Sequence, residues 1–351
     1  MFRHLKILLL SMSLMATAAV SAQRVDYTND TVYATLREKM HHAFNDADSA
    51  RFYPALQALE DYLLKQGDMH GYYTQRCNEI IFLMNRYHIF EAYKLSRQLS
   101  VELLDKGLDN ETYMAVNMMG HIYRYCGNKE SAKQCFYEVL ERMRKAGYVE
   151  SMPPIYSNIV GVVMESDPDE ALRLLDEAVV IAQESAPEKV FDIESRRTLI
   201  YYSMGDTARF MEGYKAYKKG VEQGMSAVHG HTLDVYYLTL QGKYDEAIAL
   251  ASEVKGADSY GEIADICQRA GRWRDAYMAL KEEYALNDSL NSLILSNSMD
   301  GIRDEFKIYD AEKRAERNRT IIFIAAAGMF ALITATLVVF FLIRRRHVRQ
   351  L

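Results

Sequence analysis

Residues 320–343, TIIFIAAAGMFALITATLVVFFLI, carry no charge and run straight into Arg344, Arg345 and Arg346. A helix rises about 1.5 Å per residue, so this stretch is long enough to cross a hydrocarbon layer about 30 Å thick. What the chain can fold into then turns on which side of a membrane residues 24–319 occupy. The flanks of the apolar run do not decide it. Lys313, Arg314, Arg317 and Arg319 stand on one side, and the arginine triplet with Arg349 on the other. The N-terminus does decide it. Arg3 and Lys6 precede an apolar run from Ile7 to Val20, and Val20-Ser21-Ala22 places small residues just before Gln23, which is the pattern of a cleaved export signal. The expected layout is a signal peptide over 1–22, an ectodomain over 23–290, a juxtamembrane helix over 291–319, a transmembrane helix over 320–343 and a basic stub over 344–351. That layout implies a single-pass inner-membrane protein with its N-terminal bulk in the periplasm and a short cytoplasmic C-terminus.

The ectodomain should be all-α. Five prolines and 18 glycines in 351 residues leave few helix breakers, and 49% of the residues are hydrophobic. Its length exceeds what one compact core usually holds, which suits two domains or a repeat array. A net charge of −6 and the export signal both argue against nucleic acid as a partner. Cys77, Cys126, Cys135 and Cys267 form no CxxC pair and no metal-ligand spacing, so they read as buried reduced thiols. HExxH, GxSxG and GxxxxGK[ST] are all missing, and His229 and His231 read as loop residues with no further ligand beside them. The sequence points to no catalytic residue, metal or cofactor, and a non-enzymatic role is expected.

A repeat pattern is visible in the segment 119–140, MGHIYRYCGNKESAKQCFYEVL. Gly127 marks a tight turn. Gly120 and Tyr123 lie on the helix before it, and Ala132, Phe136 and Val139 on the helix after it. Small residues at 120 and 132 would let the two helices approach closely, with the aromatics filling the space beside them. The turn recurs around Ala92, Ala171, Phe210, Ala247 and Ala276, and a seventh pair is expected within 30–65. Ser96 and Ala251 stand where an aromatic is expected, and the last interval is short. This pattern resembles the tetratricopeptide repeat (TPR), which implies a solenoid of helical hairpins whose concave face binds a protein or peptide. The repeat register puts Asn117, His121, Arg124, Tyr156, Arg196, Tyr202, Tyr236 and Thr239 on that face. Four triplets, Asp30-Thr31-Val32, Asp48-Ser49-Ala50, Asp206-Thr207-Ala208 and Asp288-Ser289-Leu290, read as helix N-caps.

Beyond the repeats, Leu295, Met299, Ile302, Phe306 and Tyr309 recur at spacings of four and three, as in a coiled-coil seam. Ala327, Ala331 and Ala335 continue nearly in phase as a small-residue stripe, a face on which two membrane helices can pack, so a homodimer through 295–335 is an option. Taken whole, the chain resembles the periplasmic sensory half of membrane-bound TPR sensor kinases and regulators, although only a short basic stub follows the apolar run. The implied function is a receptor module that binds a protein or peptide ligand in the periplasm and signals through its membrane helix to a cytoplasmic or membrane partner. The alternative is a static TPR scaffold that tethers an envelope assembly.

Overall fold

A computed structural model describes residues 25–254 and 257–295, together with the isolated positions 319 and 323. The signal peptide, the apolar run apart from Phe323, and the alanine stripe lie outside the described residues, as does the coiled-coil seam apart from Leu295. Among the described residues, no helix is long and apolar enough to cross a membrane.

Every regular element described is helical, and the helices form seven successive hairpins. The pairs are α1 (Thr31–Asn45) with α2 (Ser49–Lys65), α3 (Met69–Asn85) with α4 (Ile89–Asp105), and α5 (Tyr113–Tyr125) with α6 (Lys129–Ala146). Next come α7 (Pro153–Val163) with α8 (Pro168–Ser185), α9 (Val190–Ser203) with α10 (Thr207–Glu222), and α11 (Gly230–Leu240) with α12 (Tyr244–Ala251). The last hairpin is α13 (Ala257–Arg269) with a helix over 273–295, α14. All seven expected hairpins are present. α14 runs unbroken past Leu290, so the expected boundary at 290/291 is not the end of an element, and Asp288 sits inside a helix rather than capping one.

The turns show why this sequence folds into hairpins. At the α5–α6 turn Gly127 adopts φ 74° and donates its N–H to the Arg124 carbonyl, while the Asn128 N–H reaches the Tyr123 carbonyl at 2.9 Å. The Asn128 side chain then accepts from the Ser131 N–H and opens α6. Asp30, Asp48 and Asp206 cap α1, α2 and α10 in the same way. Two hairpins make the left-handed turn without glycine, at Ala47 (φ 51°) and Tyr87 (φ 62°).

The core is a chain of overlapping clusters whose buried residues come from neighbouring hairpins, as in a solenoid. Ala132 and Phe136 are fully buried, and a Cβ on Gly120 would lie 2.6 Å from Phe136 Cε1, so the close helix approach depends on that glycine. Ser96, in an aromatic's place, is fully buried and donates its hydroxyl to the Ala115 carbonyl of α5 at 3.0 Å. Ala251 ends the eight-residue α12, and its carbonyl accepts from Ser259 Oγ at 2.8 Å. The shortened helix accounts for the short last interval. A polar clamp joins three units: the fully buried Glu111 accepts from the Tyr148 hydroxyl, and its other oxygen lies 2.9 Å from His70 Nδ1.

The cysteines are all unpaired. Cys77 and Cys267 are buried as expected, but Cys126, at the C-cap of α5, is exposed, and Cys135 is only partly buried. Far from its own hairpin, Ile294 of α14 packs against the core cluster formed by α3, α4 and α5.

Candidate functional site

The first helices of consecutive hairpins (α5, α7, α9, α11 and α13) are joined by a ladder of polar and aromatic side chains. Asn158 of α7 donates its amide to His121 Nε2 of α5 at 3.3 Å. Arg196 of α9 reaches back to the Ser157 carbonyl at 3.1 Å and forward to His229 Nε2 at 2.6 Å, at the start of α11. Tyr202 of α9 stacks on Tyr236 of α11 with ring centroids 3.8 Å apart. Its hydroxyl donates to Asp265 Oδ2 of α13 at 3.1 Å, and the Arg269 guanidinium lies 4.8 Å from its ring centroid.

Burial sets the charge state of this ladder. Burial, and then the charge of Arg124, push His121 down to about 4, so it is neutral and able to accept from Asn158. Burial also lowers His229, with Arg196 acting in the same direction and Asp192 against it. His121 thus accepts from Asn158, and His229 Nε2 accepts from the Arg196 guanidinium. Asn117 Oδ1 and Arg196 Nε are buried with no hydrogen-bond partner among the described residues. Groups of this kind are where a bound chain's own N–H and C=O groups can make hydrogen bonds.

Six of the eight residues expected on this face fall on or beside the ladder: Asn117, His121, Arg124, Arg196, Tyr202 and Tyr236. Two do not. Tyr156 is 1% exposed and points the other way, donating its hydroxyl to Glu177 Oε2 of α8 at 2.9 Å. The residue that meets His121 is Asn158. Two positions correspond to about 200° around a helix, so the register read from the sequence falls on the opposite side of α7. Thr239 is 4% exposed, and its hydroxyl is bonded to the Val235 carbonyl of its own helix at 2.8 Å. Sequence reasoning also missed Asn158, Asp265 and Arg269, and it read His229 as a plain loop residue. A spacing of 37 residues from His121 and Arg124 reaches Asn158 and Gly161, which was the available signal.

The outer side offers a cavity of about 1060 Å³ between α6 and α8. Its charges are largely satisfied among themselves, as in Lys133–Glu170 at 2.7 Å and Lys145–Glu141 at 2.6 Å, so it presents little unmet bonding capacity. No cluster of three or more His, Cys, Asp or Glu residues among the described residues could hold a metal ion.

No family model matches the sequence, and no curated protein matches it. The fold is similar to several solved structures. Aspartyl phosphate phosphatase F from Bacillus subtilis aligns with a TM-score of 0.55 at 11% identity, over 73% of this chain and 70% of that one. The apo form of RapI gives 0.52 at 12% identity, over 76% and 99%. NprR in complex with its cognate peptide NprX gives 0.50 at 14% identity, over 82% and 86%. At these identities the likeness shows the fold: a TPR-like helical repeat array.

Proposed function

We propose that this chain is a membrane-anchored receptor that binds an extended peptide or protein segment along the face built by its first helices, and that it acts by binding rather than catalysis. The observation that carries the reading is the ladder from Asn117 to Arg269. It is a continuous polar and aromatic strip across five hairpins, containing buried hydrogen-bonding atoms left without a partner among the described residues. Tyrosine and arginine, its main components, are the residue types that dominate binding hot spots. A structural neighbour, NprR, was solved with a peptide, which supports a peptide as the ligand class here.

The export signal and the apolar run at 320–343 support a periplasmic location for this face, with the ligand's effect passed along the C-terminal helix. Two measurements test the reading. Protease added to spheroplasts should digest residues 24–319 and spare 344–351; a protected ectodomain overturns the topology. Selection of a displayed random-peptide library on the full chain in detergent should enrich peptides that lose binding to a Tyr236→Ala variant. Enrichment that is indifferent to Tyr236 overturns the assigned face.

A further inference from the structure

We propose that Arg124 and Arg196 form a seat for one oxyanion carried by the bound chain, a carboxylate or a phosphoryl group; this rests on the peptide-binding reading above. The two arginines come from different hairpins, yet both overhang the same point of backbone. Beyond its chain neighbours and its own helix backbone, a Cβ built on Gly161 of α7 would meet only Arg196 Nη1 at 3.6 Å and Arg124 Nη1 at 3.8 Å among the described residues. Gly161 is exposed, so the space above it is open to a ligand.

Two guanidiniums over one glycine repel each other unless an anion lies between them. The described residues supply none. Among them, Arg124 has no hydrogen-bonded or ion-paired partner, and Arg196 bonds only the neutral Ser157 carbonyl and His229 Nε2. Asp192 is the acid felt by Arg196, and its Oδ1 accepts from the Val228 N–H at 2.8 Å. The surrounding His121 and Asn158 are bonded to each other and add no negative charge. An oxyanion bound above Gly161 would accept charge-assisted hydrogen bonds from both planar forks and replace a repulsion by two attractions. A side chain at position 161 would occupy that space.

The test uses the full chain in detergent and three fluorescein-labelled random octapeptide pools, matched except at one fixed position. That position holds Asp or Glu in the first pool, Asn or Gln in the second, and phosphoserine in the third. Wild-type protein should bind one anionic pool about tenfold more tightly than the amide pool, as expected for a charge-assisted pair. Whichever anionic pool prevails identifies the source of the oxyanion. In Arg124→Gln and Arg196→Gln the ratio of anionic-pool to amide-pool affinity should fall towards one, and Arg124→Lys should retain part of the preference. Gly161→Leu, which leaves both charges in place, should also remove it. An anion preference that survives both glutamine variants, or no preference in wild type, overturns the seat while leaving the groove reading intact. Silence of all three pools overturns the groove reading as well.

Discussion

At the residue scale, two positions depart from what their surroundings favour. Ala47 holds a left-handed conformation that costs an L-residue about 1 kcal/mol or more, and the other hairpins with a left-handed turn residue, except the α3–α4 hairpin at Tyr87, place glycine there. Ala47→Gly should therefore raise stability, by up to about 1 kcal/mol, read from the urea midpoint; an unchanged or lower midpoint would mean the turn is not strained. Glu60 is 5% exposed, and burial pushes its carboxyl up to about 7, with Arg76 opposing and Glu79 reinforcing. The fold prefers the protonated form. Its contribution is complete below the unfolded value of 4.5 and is lost as pH rises through about 7. Glu60→Gln should thus be more stable than wild type near pH 8, by up to about 3 kcal/mol, and nearly equal near pH 4. His121 works in the opposite sense. Its depressed value makes stability complete above 6.5 and lost as pH falls through about 4, so the variant rather than the wild-type profile isolates Glu60.

At the element scale, the hairpin rests on close contacts between small residues. Ala132→Leu should overpack the fully buried Ala132 site between α5 and α6 and cost about 1–3 kcal/mol; an unchanged denaturation midpoint would argue against this packing. These contacts were legible in the sequence because glycine at a left-handed turn and alanine at a helix crossing are local requirements that recur along the array. The inner-face residues were only partly legible. Which side of α7 faces the ladder depends on the turn that closes the helix, and that turn, 164–167, is one residue longer than the 126–128 turn between α5 and α6 and lacks its left-handed glycine. Ser96 was equally opaque, since its partner, the Ala115 carbonyl, belongs to the next hairpin.

At the scale of the whole molecule, an open solenoid couples each unit only to its neighbours. The packing of Ile294 on the cluster of α3, α4 and α5 breaks that rule. α14, about 35 Å long at the usual helical rise, carries the chain from its seventh hairpin back to its second and third. Ile294→Asp should raise amide hydrogen exchange in α3 and α5 as well as in α14; a change confined to the last hairpin would mean that Ile294 carries no coupling. The same side chain also bears on the order of events in time. Hairpins need only nearby residues and can close early, whereas Ile294 must find partners between Tyr73 and Ile122 after nearly all the array exists. Its docking is therefore expected late in folding, and its release early in unfolding. During synthesis, the early hairpins would keep that apolar patch uncovered until the end of the array has emerged.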